Sequence, residues 1–277
     1  MNEEPVAIDL NVDSALMLKH MAGLEDYPLV LALMPNITRI ADRERVWAAV
    51  ATDLTKQGII DGDRIHPVIE HWLRCLERPD AELVARIIVP EPGMPTHGAM
   101  LRLSLVRAGD THVLALRCDD HVVIQRVFAD GERLDMLTAV LLEALGPAAP
   151  LDFSPFTVAE EDLATIPADS DERRRALAEL GALPHTASLL TRAAAEATSR
   201  AEVLMVEYHD DDNSTDHELC LSVYDTPSGR FVAIPARSLD GRILSTYMPG
   251  DAVNLHLGVR ALVDLLPARN WYVSSRM

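Results

Sequence analysis

The feature that most constrains the fold is a β-rich segment that occurs twice. LRLSLVRAGDTHVLAL begins at Leu101, and LCLSVYDTPSGRFVAI begins 118 residues later at Leu219, without a gap. In front of each copy, Ala81-Glu82-Leu83 recurs as Ala201-Glu202-Val203 at a spacing of 120 residues. Alternation alone makes any two amphipathic hairpins look alike, but here the order of strands, loops and a following helix repeats as well. The sequence therefore predicts a duplicated unit of sheet plus helix.

Apolar spacing places helices before each copy of the β-rich segment. Asn11 or Asp13 is predicted to cap the first helix and Gly23 to end it, and Asp42 is predicted to cap the second. The apolar run Leu29–Met34 is predicted to be a short buried strand. The predicted helices are Val12–Met21, Arg43–Gln57, Pro67–Leu76, Leu134–Leu145, Asp171–Leu180, Pro184–Ala197 and Ala252–Leu266.

A two-residue period replaces the helical one in both β-rich regions. Short connections between the runs predict antiparallel neighbours. The predicted strands are Glu82–Val89, Met100–Arg107, Thr111–Arg117, Val122–Phe128, Ala201–Tyr208, Glu218–Tyr224, Arg230–Pro235 and Ile243–Met248. The inferred fold is α+β, with a broad, mostly antiparallel sheet, approximate twofold symmetry and flanking helices.

The proline-rich segment GPAAPLDFSPF is predicted to join the two copies, because closely spaced prolines resist regular structure. It divides the chain into an N-terminal half, residues 1–150, and a C-terminal half, residues 151–277. Because the repeat implies one continuous sheet, we expect the halves to form one compact domain.

Charge limits the kinds of partner. With 25 Lys and Arg against 43 Asp and Glu, the formal net charge is −18, which opposes binding to a phosphate backbone or an anionic membrane. The acidic start of the sequence and the absence of a long apolar run predict a cytoplasmic protein without membrane insertion. Cys75, Cys118 and Cys220 lack metal-site spacing and are predicted to be unpaired.

The sequence carries none of the common catalytic motifs for phosphate cradles, nucleophile elbows, zinc helices or dinucleotide turns. The polar run from His209 to Glu218 has the composition of a cation site. However, an EF-hand loop counted from Asp210 would need Gly and Glu where Thr215 and Leu221 stand. The run is therefore predicted to be a solvated loop, and no metal or catalytic residue is assigned.

Two long loops at corresponding places in the repeat are candidates for binding, since function concentrates in loops on a rigid scaffold. The first, Pro90–Gly98, presents Pro92, Met94 and Pro95 together with Thr96 and His97. The second presents carboxylates, among them Asp211 and Asp212. An apolar anchor beside an acidic rim is typical of a protein-binding surface.

Several segments, taken together, resemble the EspG family of type VII secretion-associated proteins. They are Tyr27–Ala32, Gly58–Gly62, Pro67–Leu73, Cys75–Asp80, Ser222–Arg230 and Ser238–Gly250. The resemblance extends over nearly the whole chain, and none of its parts is a catalytic motif.

The resemblance implies a cytosolic chaperone for PE/PPE heterodimers. Such a protein binds the apolar tip of the PPE partner, keeps the pair soluble and directs it to its secretion system, without a cofactor. On this chain the contact surface would include the loop Pro90–Gly98 and the sheet next to the helices of the second half, among them the helix that bears Leu189 and Leu190. The negative charge would disfavour acidic, non-cognate tips.

Two other functions stay open at this point. An enzyme would use the Asp/His cluster around Asp210, Asp212 and His217. A DNA-binding regulator would use the predicted helices Arg43–Gln57 and Pro67–Leu76 as a helix-turn-helix, although the segment Pro67–Glu77 carries one Arg and two Glu. The chain is expected to be a monomer or a homodimer.

Overall fold

The computed structural model describes residues 4–35, 40–91, 94–129, 131, 133–209, 215–216 and 219–273. Its helices are α1 (Val12–Ala22), α2 (Ile40–Lys56), α3 (Pro67–Glu77), α4 (Asp135–Leu145), α5 (Glu160–Leu163), α6 (Ser170–Glu179), α7 (Pro184–Glu196) and α8 (Ala252–Leu265). A 3₁₀ turn covers Leu29–Leu31.

The strands form one large antiparallel sheet and one small hairpin. They are β1 (Ala7–Asn11), β2 (Ile60–Asp61), β3 (Arg64–Ile65), β4 (Ala81–Glu91), β5 (Met94–Ala108), β6 (Thr111–Cys118), β7 (His121–Val127), β8 (Phe156–Ala159), β9 (Ser199–Glu207), β10 (Thr215–Asp216), β11 (Leu221–Thr226), β12 (Gly229–Arg237) and β13 (Ile243–Pro249). The order across the large sheet is β1-β7-β6-β5-β4-β9-β11-β12-β13-β8, with β10 beside β9, and β2 pairs with β3. The predicted α+β class with an antiparallel sheet is confirmed.

The strand registers confirm the internal repeat. Leu103 pairs with Ala85, and 118 residues later Leu221 pairs with Val203. The next pair along, Ser104 with Ala115, likewise recurs as Ser222 with Ala233. The spacing of 120 residues proposed for Ala81–Leu83 and Ala201–Val203 is wrong by two. The pairings make Val203 the counterpart of Ala85, whereas a spacing of 120 would have made it Met205. Both halves contribute to one sheet, and the boundary at residue 150 stays a prediction.

The two faces of the sheet are covered differently. On the front face, α4 and α8 pack over the middle, against alternate side chains of β4, β5, β9 and β11. On the back face, α1, α2 and α3 cover the end formed by β1, β6 and β7. At the other end of the back face, α6 and α7 pack against Phe156, Val158 and Phe231. Helices therefore cover the middle of one face and the two ends of the other.

Most predicted helices begin and end within two residues of the observed bounds, and their capping groups explain why. The Asn11 side chain accepts a hydrogen bond from the Ser14 amide at 2.8 Å, and Gly23 ends α1 in the left-handed conformation. Asp42, the predicted cap of the second helix, lies inside α2, because that helix spans Ile40–Lys56.

The predicted strand Leu29–Met34 is wrong. The chain instead forms the 3₁₀ turn and reverses at Ala32, whose φ is 47°. Arginines on the sheet bind the carbonyl groups of Val30, Leu31 and Ala32. Because side chains satisfy these backbone acceptors, the segment needs no neighbouring strand.

Two edge strands were not predicted. β1 pairs with β7 at one edge of the sheet, and β8 pairs with β13 at the other. Both are short, and β8 follows the proline-rich segment, so neither has the length that makes alternation visible in a sequence. Their placement extends the twofold relation to both edges.

Candidate partner-binding surface

The middle of the back face is the part of the sheet that lies between the two helical layers. Side chains alternate between faces along a strand, so the back face of β4 and β9 carries Glu82, Val84, Arg86 and Ile88 together with Arg200, Glu202, Leu204 and Val206. Among the described residues, none of these eight side chains belongs to any of the three apolar cores. Arg102 of β5 lies opposite Arg86 on the same face. We refer to Val84, Arg86, Ile88, Arg102, Glu202 and Leu204 as the central strip.

The central strip mixes apolar and charged groups that are partly exposed. Val84 lies directly opposite Leu204, and both are half-buried. In the next row Arg86 lies opposite Glu202, and their side chains form an ion pair at 3.1 Å. Glu202 also binds Arg200 at 2.6 Å. Apolar side chains beside charged ones on a rigid sheet are the usual make-up of a protein interface.

A buried carboxylate lies at one end of the strip. The carboxylate of Glu82 accepts hydrogen bonds from Ser104 Oγ at 2.6 Å and from the Tyr208 hydroxyl at 2.5 Å. Burial raises the pKa of Glu82, and the two hydrogen bonds oppose that rise. Since both carboxylate oxygens already have donors within the protein, Glu82 holds Ser104 and Tyr208 in place and is not available to bind a partner.

Next to Glu82 a cleft of about 680 Å³ opens between the 3₁₀ turn, the end of α3 and Tyr208. Its charged groups are paired locally, because Arg74 binds Glu77 at 3.1 Å and also binds the Ala22 carbonyl. Leu29, 88% exposed, stands at its rim. The cleft is polar, and the Glu82 carboxylate at its edge is bound by Ser104 and Tyr208.

A β-hairpin projects past the other end of the strip. Beyond Ile88, β4 has no pairing with β9, and its partner is β5 alone as far as the pair Glu91 with Met94. The predicted loop Pro90–Gly98 is therefore mostly strand, because the ladder continues through two more residue pairs, Val89 with Ala99 and Pro90 with Gly98. Gly98 is required there, since a Cβ at this position would lie 2.2 Å from the Val89 carbonyl oxygen.

The structure describes the backbone of six of the nine predicted contact residues, four on β5 and two on α7. Met94, Pro95, Thr96 and His97 lie on β5 near the tip of the hairpin, and their side chains fall outside the described part of the structure, as does all of Pro92. Asp211 and Asp212 also lie outside the described residues. All seven stay predictions.

Leu189 and Leu190 lie on α7 at the C-terminal end of the back face. Leu190 is 6% exposed and belongs to the core under α6 and α7, while Leu189 packs against that core. Leu190 also lines an apolar pocket of about 290 Å³ with Tyr224, Phe231 and Tyr247. A contact at Leu190 would therefore be made through this pocket, and the assignment of both leucines stays a prediction.

The hairpin and the acidic loop depart from opposite ends of the strand pair formed by β4 and β9. The hairpin continues the end of β4 that pairs with Arg200, whereas the loop after Tyr208 leaves the end that pairs with Ala81. At about 3.3 Å per residue, the strand pair between them spans roughly 25 Å. A twofold axis through the middle of the strand pair requires this separation of the two strand ends, and the arrangement of an apolar anchor beside an acidic rim stays a prediction.

The geometry bears on the two alternative functions. In the described ranges, no group of three or more His, Cys, Asp or Glu side chains is placed to hold a metal ion. The α2 and α3 helices are separated by the β2–β3 hairpin, and the apolar side of α3 is buried in the core. A recognition helix reads a groove with its exposed side chains, and the arginine on the exposed side of α3, Arg74, is already paired with Glu77. None of the described helices has the length and apolar character to span a membrane.

The resemblance pointed to the sheet as part of the contact surface, but sequence reasoning did not single out the residues of the central strip. The segment Glu82–Arg86 did carry a signal. Leu83 and Ala85 are apolar, while the alternate positions hold two charged residues and one valine. Which face lacks helices, however, depends on how distant helices pack, and no local pattern encodes that.

Comparison with known proteins identifies the family. The model of the EspG family matches residues 11–261. The chain is 31% identical to the ESX-1 secretion-associated protein EspG1 of Mycobacterium marinum over 270 residues, covering 97% of this chain and 92% of that protein. It is 28% identical to the ESX-3 secretion-associated protein EspG3 of Mycolicibacterium smegmatis over 276 residues, covering 97% and 90%.

A solved structure has the same fold. The Mycobacterium tuberculosis type VII secretion system chaperone EspG5, solved in complex with a PE25–PPE41 dimer, superposes with a TM-score of 0.80 at 20% identity, over 97% of this chain and 100% of that one. The family match, the relatives along nearly the full length and the shared fold agree with the resemblance in the sequence: this chain belongs to the EspG family.

Proposed function

We propose that this protein is a cytoplasmic, non-catalytic chaperone that binds a cognate PE/PPE heterodimer at the apolar tip of the PPE subunit. It keeps the pair soluble and directs it to a type VII secretion system. Membership of the EspG family supports this proposal, as does a fold shared with a chaperone whose solved structure contains a PE25–PPE41 dimer.

The observation that carries the proposal is the central strip. A wide sheet ordinarily buries its apolar side chains under helices, yet Val84, Ile88 and Leu204 are left half-buried between two helical layers. The exposed Leu29 and the projecting hairpin border the same region. The region therefore offers partly exposed apolar groups on a sheet flanked by helices, which suits the apolar tip of another protein.

The physical role follows from what such a tip does in water. An exposed apolar patch favours self-association, and a partner that buries it stabilises the soluble species according to its concentration and affinity. An interface of roughly 1,600 Å² in total is sufficient for a specific complex. A few central apolar anchors would supply most of the binding energy, and the strip offers Val84 and Leu204 in that position.

Co-expression tests the proposal directly. The tagged chain is co-expressed with PE/PPE pairs encoded near ESX-1, ESX-3 and ESX-5 systems, and retained pairs are identified by mass spectrometry. We expect at least one pair to co-purify as a stoichiometric complex. Failure to retain any pair, under conditions where an EspG5 control retains PE25–PPE41, contradicts the proposal.

Variants of the strip locate the surface. Val84→Asp and Leu204→Asp place a charge among apolar groups and are expected to weaken binding of the retained pair at least tenfold. Val253→Asp is the matched control, because Val253 is 70% exposed on α8 of the front face. The same assay measures Met94→Ala and Leu189→Ala. Equal losses for the strip variants and the control would exclude the strip as the contact surface.

A further inference from the structure

Three arginines lie side by side across the back face of the sheet. Arg117 of β6 is directly opposite Arg102 of β5, and Arg102 is directly opposite Arg86 of β4. We refer to these three residues as the arginine row. Like charges directly opposite each other on neighbouring strands destabilise a sheet. Such a row is unexpected in a chain with 43 acidic and 25 basic residues, where carboxylates are plentiful.

The partners of the row do not neutralise it. Arg117 donates to the Leu31 carbonyl at 2.7 Å and to the Ala32 carbonyl, so it anchors the 3₁₀ turn. Arg86 is paired with Glu202, which also binds Arg200. Among the described residues, the Arg102 guanidinium contacts no carboxylate, and it donates to the Val30 carbonyl at 3.4 Å. One carboxylate thus serves a surface with four guanidinium groups.

The internal repeat indicates that the fold does not need this row. At the spacing of 118 residues, the buried front-face positions stay apolar, as with Leu103 and Leu221 or Leu105 and Val223. The counterparts of Arg86, Arg102 and Arg117, by contrast, are Leu204, Cys220 and Pro235. The second half forms the counterpart strands β9, β11 and β12 without a basic group at any of these three positions, with Cys220 one residue before β11.

The surroundings of Arg102 oppose its charge. Partial burial lowers the pKa of Arg102, and the neighbouring charges of Arg117 and Arg86 lower it further. A guanidinium held in this way gains the most from an incoming carboxylate, because bidentate hydrogen bonds both satisfy its donors and cancel the repulsion.

We propose that Arg102 and Arg86 receive an acidic side chain from the tip of the partner, while Val84 and Leu204 contact the apolar residues on either side of it. This inference rests on the proposed function and names the chemistry of the partner. It also refines the expectation from net charge: the chain as a whole repels acidic surfaces, but this strip selects one carboxylate in a defined place.

The test uses the PE/PPE pair that the wild-type chain retains in co-expression. Binding of that purified pair to wild type, Arg102→Gln and Arg86→Gln is measured by calorimetry over a range of salt concentrations. We expect each variant to bind about tenfold to a hundredfold more weakly, since hydrogen bonds to charged groups contribute about that much, and to show a weaker dependence on salt. Arg133→Gln is the control, because Arg133 is exposed and precedes α4 on the front face.

Thermal unfolding of the free variants separates this role from a structural one. Because neutralising Arg102 relieves repulsion in the row, the Arg102→Gln variant should unfold at the same temperature as wild type or higher. A loss of binding that accompanies a loss of stability would instead indicate that Arg102 only holds the 3₁₀ turn, and would overturn the proposal.

A double-mutant cycle identifies the carboxylate. Each Asp and Glu of the PPE tip is changed to its amide and measured with wild type and with Arg102→Gln. We expect one substitution to weaken binding to wild type but have little further effect on Arg102→Gln. Additive effects at every acidic position, or unchanged binding by Arg102→Gln, would overturn this inference while leaving the proposed function intact. Absence of any retained pair would instead contradict the proposed function.

Discussion

Ala85 and Val203 lie opposite each other on the central strands β4 and β9, and each is the counterpart of the other in the 118-residue repeat. A residue that faces its own counterpart marks the twofold axis of the sheet. Both side chains are fully buried on the front face, in the core under α4 and α8. At the point where the two halves meet, neither position has space for a larger side chain.

Enlarging the side chain at the axis should destabilise the protein. Ala85→Leu adds three carbon atoms to a site with no exposed surface, and overpacking of this kind lowers the free energy of unfolding by about 1–3 kcal/mol. Val84→Leu, one residue away on the half-buried back face, is the matched control and should change it far less. Urea unfolding of both variants measures the difference. Equal effects would show that the axis position is not tightly packed.

The repeat spacing and the fold class were accessible from the sequence because alternation is local and was written twice. The 3₁₀ turn at Leu29–Leu31 was not, because its carbonyl groups are satisfied by Arg102 and Arg117, more than seventy residues away. The strip was missed for the same physical reason. Its exposure depends on where α3 and α7 end up on the sheet, which is a tertiary outcome and not a property of β4 or β9.

His112 and Arg230 occupy equivalent positions in the 118-residue repeat. Each binds the backbone or a side chain at the end of a helix from the other half: Arg230 at the end of α4 and His112 just after α8. Arg230, on β12, is 2% exposed and donates to both carboxylate oxygens of Asp225 and to the carbonyls of Leu145 and Gly146 at the end of α4. His112, on β6, accepts a hydrogen bond from Trp271 Nε1, beyond the end of α8, at 3.0 Å. The two halves are thus joined by crossed contacts as well as by the sheet.

Removing the charge of Arg230 should weaken this junction strongly. Arg230→Gln leaves the Asp225 carboxylate and two carbonyl groups without their donors. Loss of one member of a buried pair costs about 3–5 kcal/mol, and because Asp225 is partly exposed we expect about 2–4 kcal/mol here. Arg174→Gln, on exposed α6, removes an ion pair with Asp171 and should cost under about 0.5 kcal/mol. Chemical denaturation compares the two, and similar losses would contradict the anchoring role of Arg230.

Protonation of His112 should couple stability to acid pH. The pKa of His112 is lowered from 6.5 to about 4, chiefly by burial and also by the nearby Arg107 charge, with Asp110 opposing. The folded state therefore favours the neutral ring, whose Nε2 accepts from Trp271. Stability from this group is present above pH 6.5 and is lost as the pH falls toward 4. Compared with His112→Gln, the wild type should lose unfolding free energy faster over that interval. Parallel curves for the two proteins would show that His112 is not responsible.

Glu82 should have the opposite dependence on pH. Burial raises its pKa above the ordinary value of 4.5, so the folded state favours the protonated carboxyl. The stability linked to this group is full below pH 4.5 and is lost as the pH rises through the folded pKa. Glu82→Gln keeps the shape of the side chain but has no charge to bury. We therefore expect the unfolding free energy of Glu82→Gln, relative to wild type, to increase as the pH is raised above 4.5 and to level off once the pH exceeds the folded pKa of Glu82. Ser104→Ala removes a donor that stabilises the carboxylate, so this variant should lose stability with rising pH more steeply than wild type. A difference between Glu82→Gln and wild type that stays constant with pH would mean that Glu82 does not titrate in this interval, and that Ser104 and Tyr208 compensate for its burial.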